Sequence, residues 1–110
     1  MADLTLQPIT KAGIVNTYAA ADGAGDKILN NGRQFVHIKN GGVSPITVTL
    51  VSQVTNPSEG TAAANTAIVI ADATEKMIGP FNPKAYNDAE GKVNLTYSAV
   101  TSVTIGAFSI

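Results

Sequence analysis

A chain of 110 residues has room for one hydrophobic core and for no second domain. With 45% hydrophobic and 14% charged side chains it is too apolar for wholesale disorder, and with no cysteine it has no disulfide, thiolate or zinc–thiolate chemistry. Seven basic residues against eight acidic, with Arg33 the sole arginine, leave no electrostatic footprint for nucleic acid or an anionic membrane, and no run nears the ~20 apolar residues of a membrane helix.

The apolar residues are mostly Ala, Val and Ile, and Thr recurs beside them, which is the vocabulary of strands. No window sustains a 3.6-residue period, and Gly or Pro breaks the chain repeatedly. Residues 4–7 and 13–16 are extended pieces separated by Pro8, which confines the first to a sheet edge or to an arm over residues 1–12. Asp22-Gly23-Ala24-Gly25-Asp26 is a backbone turn, without the following Lys-Ser/Thr of a phosphate loop. Residues 34–40 form a strand between two turn signals, Asn31-Gly32 and Asn40-Gly41-Gly42. The loop through Pro45 is expected to join that strand to an antiparallel neighbour at residues 46–52, where Ile46, Val48 and Leu50 share one face and Thr47 and Thr49 the other. Residues 56–65 read as an exposed loop, and residues 66–70 and 76–79 as shorter strands.

At Gly79-Pro80-Phe81 the chain must leave its sheet, because Pro80 cannot donate to a ladder, and Phe81 tucks beneath. Residues 87–91 are a polar hairpin turn leading into a strand at 92–98 with Val93, Leu95 and Tyr97 inward. Residues 103–110 are apolar on both faces, so a buried last residue is expected. The whole reads as an all-β single domain over residues 1–110, a β-sandwich or jelly roll of about eight short strands with an extended N-terminal arm; a small barrel is the second choice.

Little here speaks for catalysis, and an enzyme is not expected. His37 is the only histidine, with Lys39 on the same strand face, and no serine stands in a nucleophile-elbow motif. The run Asn87-Asp88-Ala89-Glu90-Gly91 lacks the spaced ligands and closing Glu of a calcium loop, so no metal or cofactor is expected. A carbohydrate platform needs displayed aromatics, but Trp is absent, Phe35 and Tyr97 fall in patterned strands where core packing is the simpler role, and Tyr86 alone falls in a loop.

The segments Asn31-Gly32-Arg33-Gln34-Phe35 through Gly41, Ile78-Gly79-Pro80-Phe81, Tyr86-Asn87-Asp88 and Val93 to Ser98 give the chain, over nearly its whole length, a likeness to a known group. It resembles short structural proteins of tailed bacteriophages described as head decoration, cement or capsid-associated proteins. The resemblance implies a virion protein on the capsid surface, made in the host cytoplasm. Its partner would be the major capsid protein, and it would work as a homo-oligomer, a trimer, with no nucleic acid or membrane partner. For docking, the candidates are Leu4, Leu6 and Ile9 of the arm, by strand addition or apolar anchoring, and the loop aromatic Tyr86. The arm has a second possible role, closing an edge of its own sheet. Two other classes compete: a tail, neck or tail-tube component, and a surface carbohydrate-binding module.

Overall fold

The computed structural model describes residues 2–53 and 65–110, and its strands form two sheets packed face to face as a β-sandwich. The first sheet runs β1 (Ala2–Asp3), β4 (Asp26–Leu29), β9 (Lys92–Tyr97), β6 (Ile46–Leu50), β7 (Thr66–Ile70). The second runs β2 (Leu6–Pro8), β10 (Val103–Ser109), β5 (Gln34–Asn40), β8 (Thr74–Ile78), and β3 (Ala19–Ala20) also pairs with β10. Among the described residues ten strands stand where about eight are expected, and three of them are only two or three residues long.

Period-two alternation builds the core. In β6, Ile46, Val48 and Leu50 are buried while Thr47 and Thr49 are half-buried on the far side, and Val93 and Leu95 of β9 meet them from the neighbouring strand. From the second sheet, Val36, Ile38, Val103, Ile105 and Ala107 close the layer. Each such aliphatic side chain contributes about 1.5–3 kcal/mol by leaving water, so these inward rows hold the sheets together. Phe81 is only 2% exposed beneath the loop that follows Pro80. Gly79 is required there: its φ is +144°, and a Cβ would lie 2.7 Å from that of Phe35.

The arm lies along the sandwich. Its β1 pairs in parallel with β4 in the first sheet and its β2 with β10 in the second, so it closes an open edge of each. Leu4 and Leu6 pack, half-buried, against the core. Closing the domain's own edges is thus the role the arm has in the isolated chain.

Several expectations need correction. Strands β5 and β6 are not paired; β5 lies between β10 and β8, and the loop through Pro45 carries the chain across to the other sheet. The crossing is latched by Asn40, whose Nδ2 donates to the carbonyls of Ser44, Ile70 and Ala71 and whose Oδ1 accepts from Gly42 N. Tyr86 stands not in a loop but at the end of a one-turn helix, α1 (Pro83–Tyr86), started by Asn82, whose side chain accepts from Lys84 N, and by Pro83 in the first turn. Ile110, expected to be buried, is 72% exposed. Residues 13–16 belong to no strand. The stretch 56–65 lies outside the described residues except for Asn65, which is exposed and accepts from Ser52 N.

Candidate interaction surface

Since side chains alternate across a strand, each sheet also has an outer face. On the first sheet that face carries Thr47 and Thr49 of β6, Lys92, Asn94 and Thr96 of β9, and Lys27 of β4. Its lysines are paired, Lys27 with Glu90 at 3.5 Å and Lys92 with Asp3 at 3.1 Å. The same register puts Leu29 of β4 and Ala67 and Val69 of β7 on this face. Leu29 and Val69 are each 56% exposed but have two strands between them, so the face is mainly polar with scattered apolar groups.

The outer face of the second sheet is aromatic. Strand β5 presents Phe35, His37 and Lys39, and the register sets Phe108 of β10 beside Phe35, Met77 of β8 beside His37, and Glu75 beside Lys39. Phe35 stacks on Phe108 with ring centroids 5.4 Å apart. Tyr18, from the segment before β3, meets Phe108 and His37 edge-on at 6.1 and 5.4 Å, and Lys39 Nζ lies 4.2 Å from the centre of its ring. Phe35 is therefore not a core residue.

Two devices bring Tyr18 to this face. Gly106, having no side chain, lets the backbone approach: a Cβ there would stand 3.0 Å from Thr17 O and 3.2 Å from the Phe108 ring. The Gln7 side chain then clamps Thr17 in both directions, donating to its carbonyl and accepting from its N–H, each at 2.8 Å. With Tyr18 so placed, its hydroxyl hydrogen-bonds His37 Nδ1, while His37 Nε2 stands 3.2 Å from Glu75 Oε1. A carboxylate can only accept, so in the neutral imidazole Nε2 carries the proton and Nδ1 accepts from Tyr18. Asn16 Nδ2 also donates to the Tyr18 hydroxyl. The chain of bonds stiffens the face and places no serine or threonine hydroxyl on the imidazole.

Two clefts open here. One of about 350 Å³ is bounded by Ile9, Ile14, Tyr18, Phe35, Met77 and Phe108 among others; the second, about 440 Å³, by Arg33, Phe35, Met77, Ile78, Pro80 and Ile110 among others. Phe35 and Met77 line both, so the two clefts adjoin at these side chains, and together they are called the trough. Met77 and Ile110 are 69% and 72% exposed, and contiguous apolar exposure of this kind marks an interaction surface where scattered exposure would not. No family model, curated protein or solved structure matches the chain. The functional reading rests on this surface and on the sequence.

Of the four docking candidates, Ile9 alone lies on the trough. Leu4 and Leu6 face the domain's own core, and Tyr86, half-buried against that core, ties α1 to β7 through a 2.7 Å bond between its hydroxyl and Thr66 Oγ1. Tyr18, Arg33, Phe35, Met77, Phe108 and Ile110 are not among those candidates. For Phe35 and Phe108 the signal is an aromatic in the phase opposite to Val36 and Ala107, so each strand carries an apolar side chain in both phases; no such pattern points to Tyr18, Arg33, Met77 or Ile110.

The acidic loops serve the fold. Asp88 accepts from Glu90 N, Lys92 N and Asn94 Nδ2 at 2.8, 3.1 and 3.2 Å, so residues 87–91 are the expected hairpin turn. Desolvation pushes the Asp88 carboxyl up, but backbone donation from Lys92 and Glu90 with the Asn94 amide outweighs it and holds the group below its ordinary value. Asp22 Oδ1 accepts from Ala24 N to close the earlier turn. Tyr97 donates to buried Asp26 Oδ2 at 2.6 Å; burial first, then that carboxylate, pushes its phenol up. Among the described residues no three His, Asp or Glu side chains converge as metal ligands would.

Proposed function

We propose that this chain is a virion structural protein, a capsid decoration or cement protein that sits on the outside of a tailed-phage head and stabilises it by bridging copies of the major capsid protein. The observation that carries the reading is the aromatic trough, a contiguous apolar outer face on a domain whose opposite face is mainly polar with its exposed apolar groups scattered. The sequence resemblance over residues 31–41, 78–81, 86–88 and 93–98 supplies the kind of partner. The molecule is a slab of 41 × 36 × 20 Å, and its broad side is ample for the roughly 800 Å² per partner that a specific interface needs. A protein that binds only the assembled shell stabilises it by mass action, and repetition of the contact around a trimer adds avidity, so each contact can be weak.

The test is to size the purified protein by light scattering and then sediment it with empty capsids. A trimer that pellets with the shells and raises the temperature at which they open is the expected result. A protein that stays in the supernatant and forms rings or tubes alone belongs instead to a tail, neck or tail tube. One that binds a glycan array and no shell is a carbohydrate module.

A further inference from the structure

We propose that the trough takes an apolar, carboxylate-bearing segment of the shell protein, with Arg33 and Lys39 meeting its acidic groups; this rests on the decoration reading and names the chemistry of its contact.

The charges of the two outer faces differ in a way that points to a partner. On the hydrophilic face Lys27 and Lys92 each hold a carboxylate of this chain. On the aromatic face neither Arg33 nor Lys39 holds one among the described residues, and the nearby carboxylate, Glu75, is engaged by His37. Arg33 lines the trough with no bond from its guanidinium to any of the described residues, and Lys39 rests on the Tyr18 ring. The face therefore joins an apolar floor to two cations that no carboxylate of the described residues holds, while its Glu75 is bonded to His37.

Position narrows the occupant. Lys39 stands in β5 with the parity of Phe35 and His37, and Arg33 directly precedes the strand; six positions at an extended ~3.3 Å each put the two at most about 20 Å apart. Between them lie the aromatic rings and Met77. An extended segment of about six residues spans that interval, laying its apolar side chains on Phe35 and Met77 and a carboxylate near either end. The guanidinium fork matches a carboxylate with two parallel bonds, and it is more weakly hydrated than an ammonium, so Arg33 loses less on entering an interface. Phosphates of a nucleic acid would call for several cations along the groove, and this one offers Arg33 and Lys39.

Two measurements with the full chain test this. In the first, binding to empty capsids is followed against salt for the wild type, for Arg33→Glu with Lys39→Glu, and for Thr49→Glu on the hydrophilic face as control. The wild type is expected to bind more weakly as salt rises. The double reversal is expected to lose at least about tenfold in affinity and most of the salt dependence, while the control keeps both. Unchanged, salt-insensitive binding by the double reversal overturns the charge reading and leaves decoration standing. In the second, a random peptide library is panned on the immobilised protein. Enrichment of peptides that join apolar and acidic residues, lost on the double reversal, supports the trough chemistry even if capsids are not the target. Enrichment of basic peptides, or retention by the double reversal, overturns it. A wild type that ignores capsids yet selects acidic apolar peptides separates a failed shell from a failed trough.

Discussion

The two outer faces of the sandwich are built by the same alternation, yet one carries Thr, Asn and paired Lys with Leu29 and Val69 kept apart by two intervening strands, and the other gathers Phe, Tyr, His and Met into contact. The hydrophilic face needs nothing beyond water. The aromatic face already recruits part of its own chain: the segment that ends in Tyr18 lies over Gly106, and Phe108 is only 5% exposed although it points away from the core. A sheet face that is half covered by its own chain and still leaves Met77, Ile9 and Ile110 in solvent has a second layer begun and not finished. The difference teaches that exposure alone does not mark a binding face; the informative feature is continuity between exposed apolar groups and buried rings.

Truncation gives the widest separation between the faces. Phe108→Ala removes a buried ring together with its stacking on Phe35, and should cost about 3–5 kcal/mol of unfolding free energy, as a core truncation does. Thr49→Ala on the other face should stay within about 0.5 kcal/mol. Urea unfolding measures both, and equal losses would erase the distinction drawn here. Gly106→Val probes the covering segment. Its first carbon already meets Thr17 O at 3.0 Å, so the segment must shift, at a cost of about 1–3 kcal/mol. The same variant should become prone to proteolysis between residues 10 and 17 and should lose the near-ultraviolet signal of an ordered Tyr18. A variant that stays resistant and keeps that signal would mean that Gly106 is not what seats the segment.

How much of this could be read from residues alone depends on range. The alternation in residues 46–50 and 92–97 gives both strand and inward face, because one phase is apolar and the other is Thr, Asn or Lys. Strands β5 and β10 are harder to read: the outward phase of each is broken by one aromatic, Phe35 beside His37 and Lys39 and Phe108 beside Thr104 and Gly106, and an isolated aromatic reads as core until the rest of its phase is weighed. The turn at Asn40-Gly41-Gly42 is legible as a reversal, but the sheet that receives the next strand depends on Asn40 reaching the carbonyls of Ile70 and Ala71, some thirty residues away. The meeting of Tyr18 with His37 needs Gly106, Gln7 and Thr17 all in place, so no local pattern announces it. Helix α1 carries its cap in Asn82-Pro83, yet four residues are too few to show a helical period.

Acid titration offers a smaller effect that belongs to the hydrophilic side alone. Asp88 binds the N–H groups of Glu90 and Lys92 and the amide of Asn94, which stands on that face, and those donors keep its folded pKa under the ordinary aspartate value of 3.8. A carboxyl whose pKa is lowered on folding stabilises the fold above its unfolded value and loses that contribution as pH falls through the folded one. Stability should therefore fall as pH descends below 3.8, and Asp88→Asn, which cannot titrate, should show a shallower fall over the same interval and a lower stability above it. Urea midpoints taken well above and well below that pH give the two slopes. Parallel slopes would mean that the turn holds the carboxyl no more tightly than water does. The aromatic trough provides the internal check: binding of acidic apolar peptides at a pH above the Asp88 transition should be the same for Asp88→Asn as for the wild type, since Asp88 lies outside both clefts that make the trough.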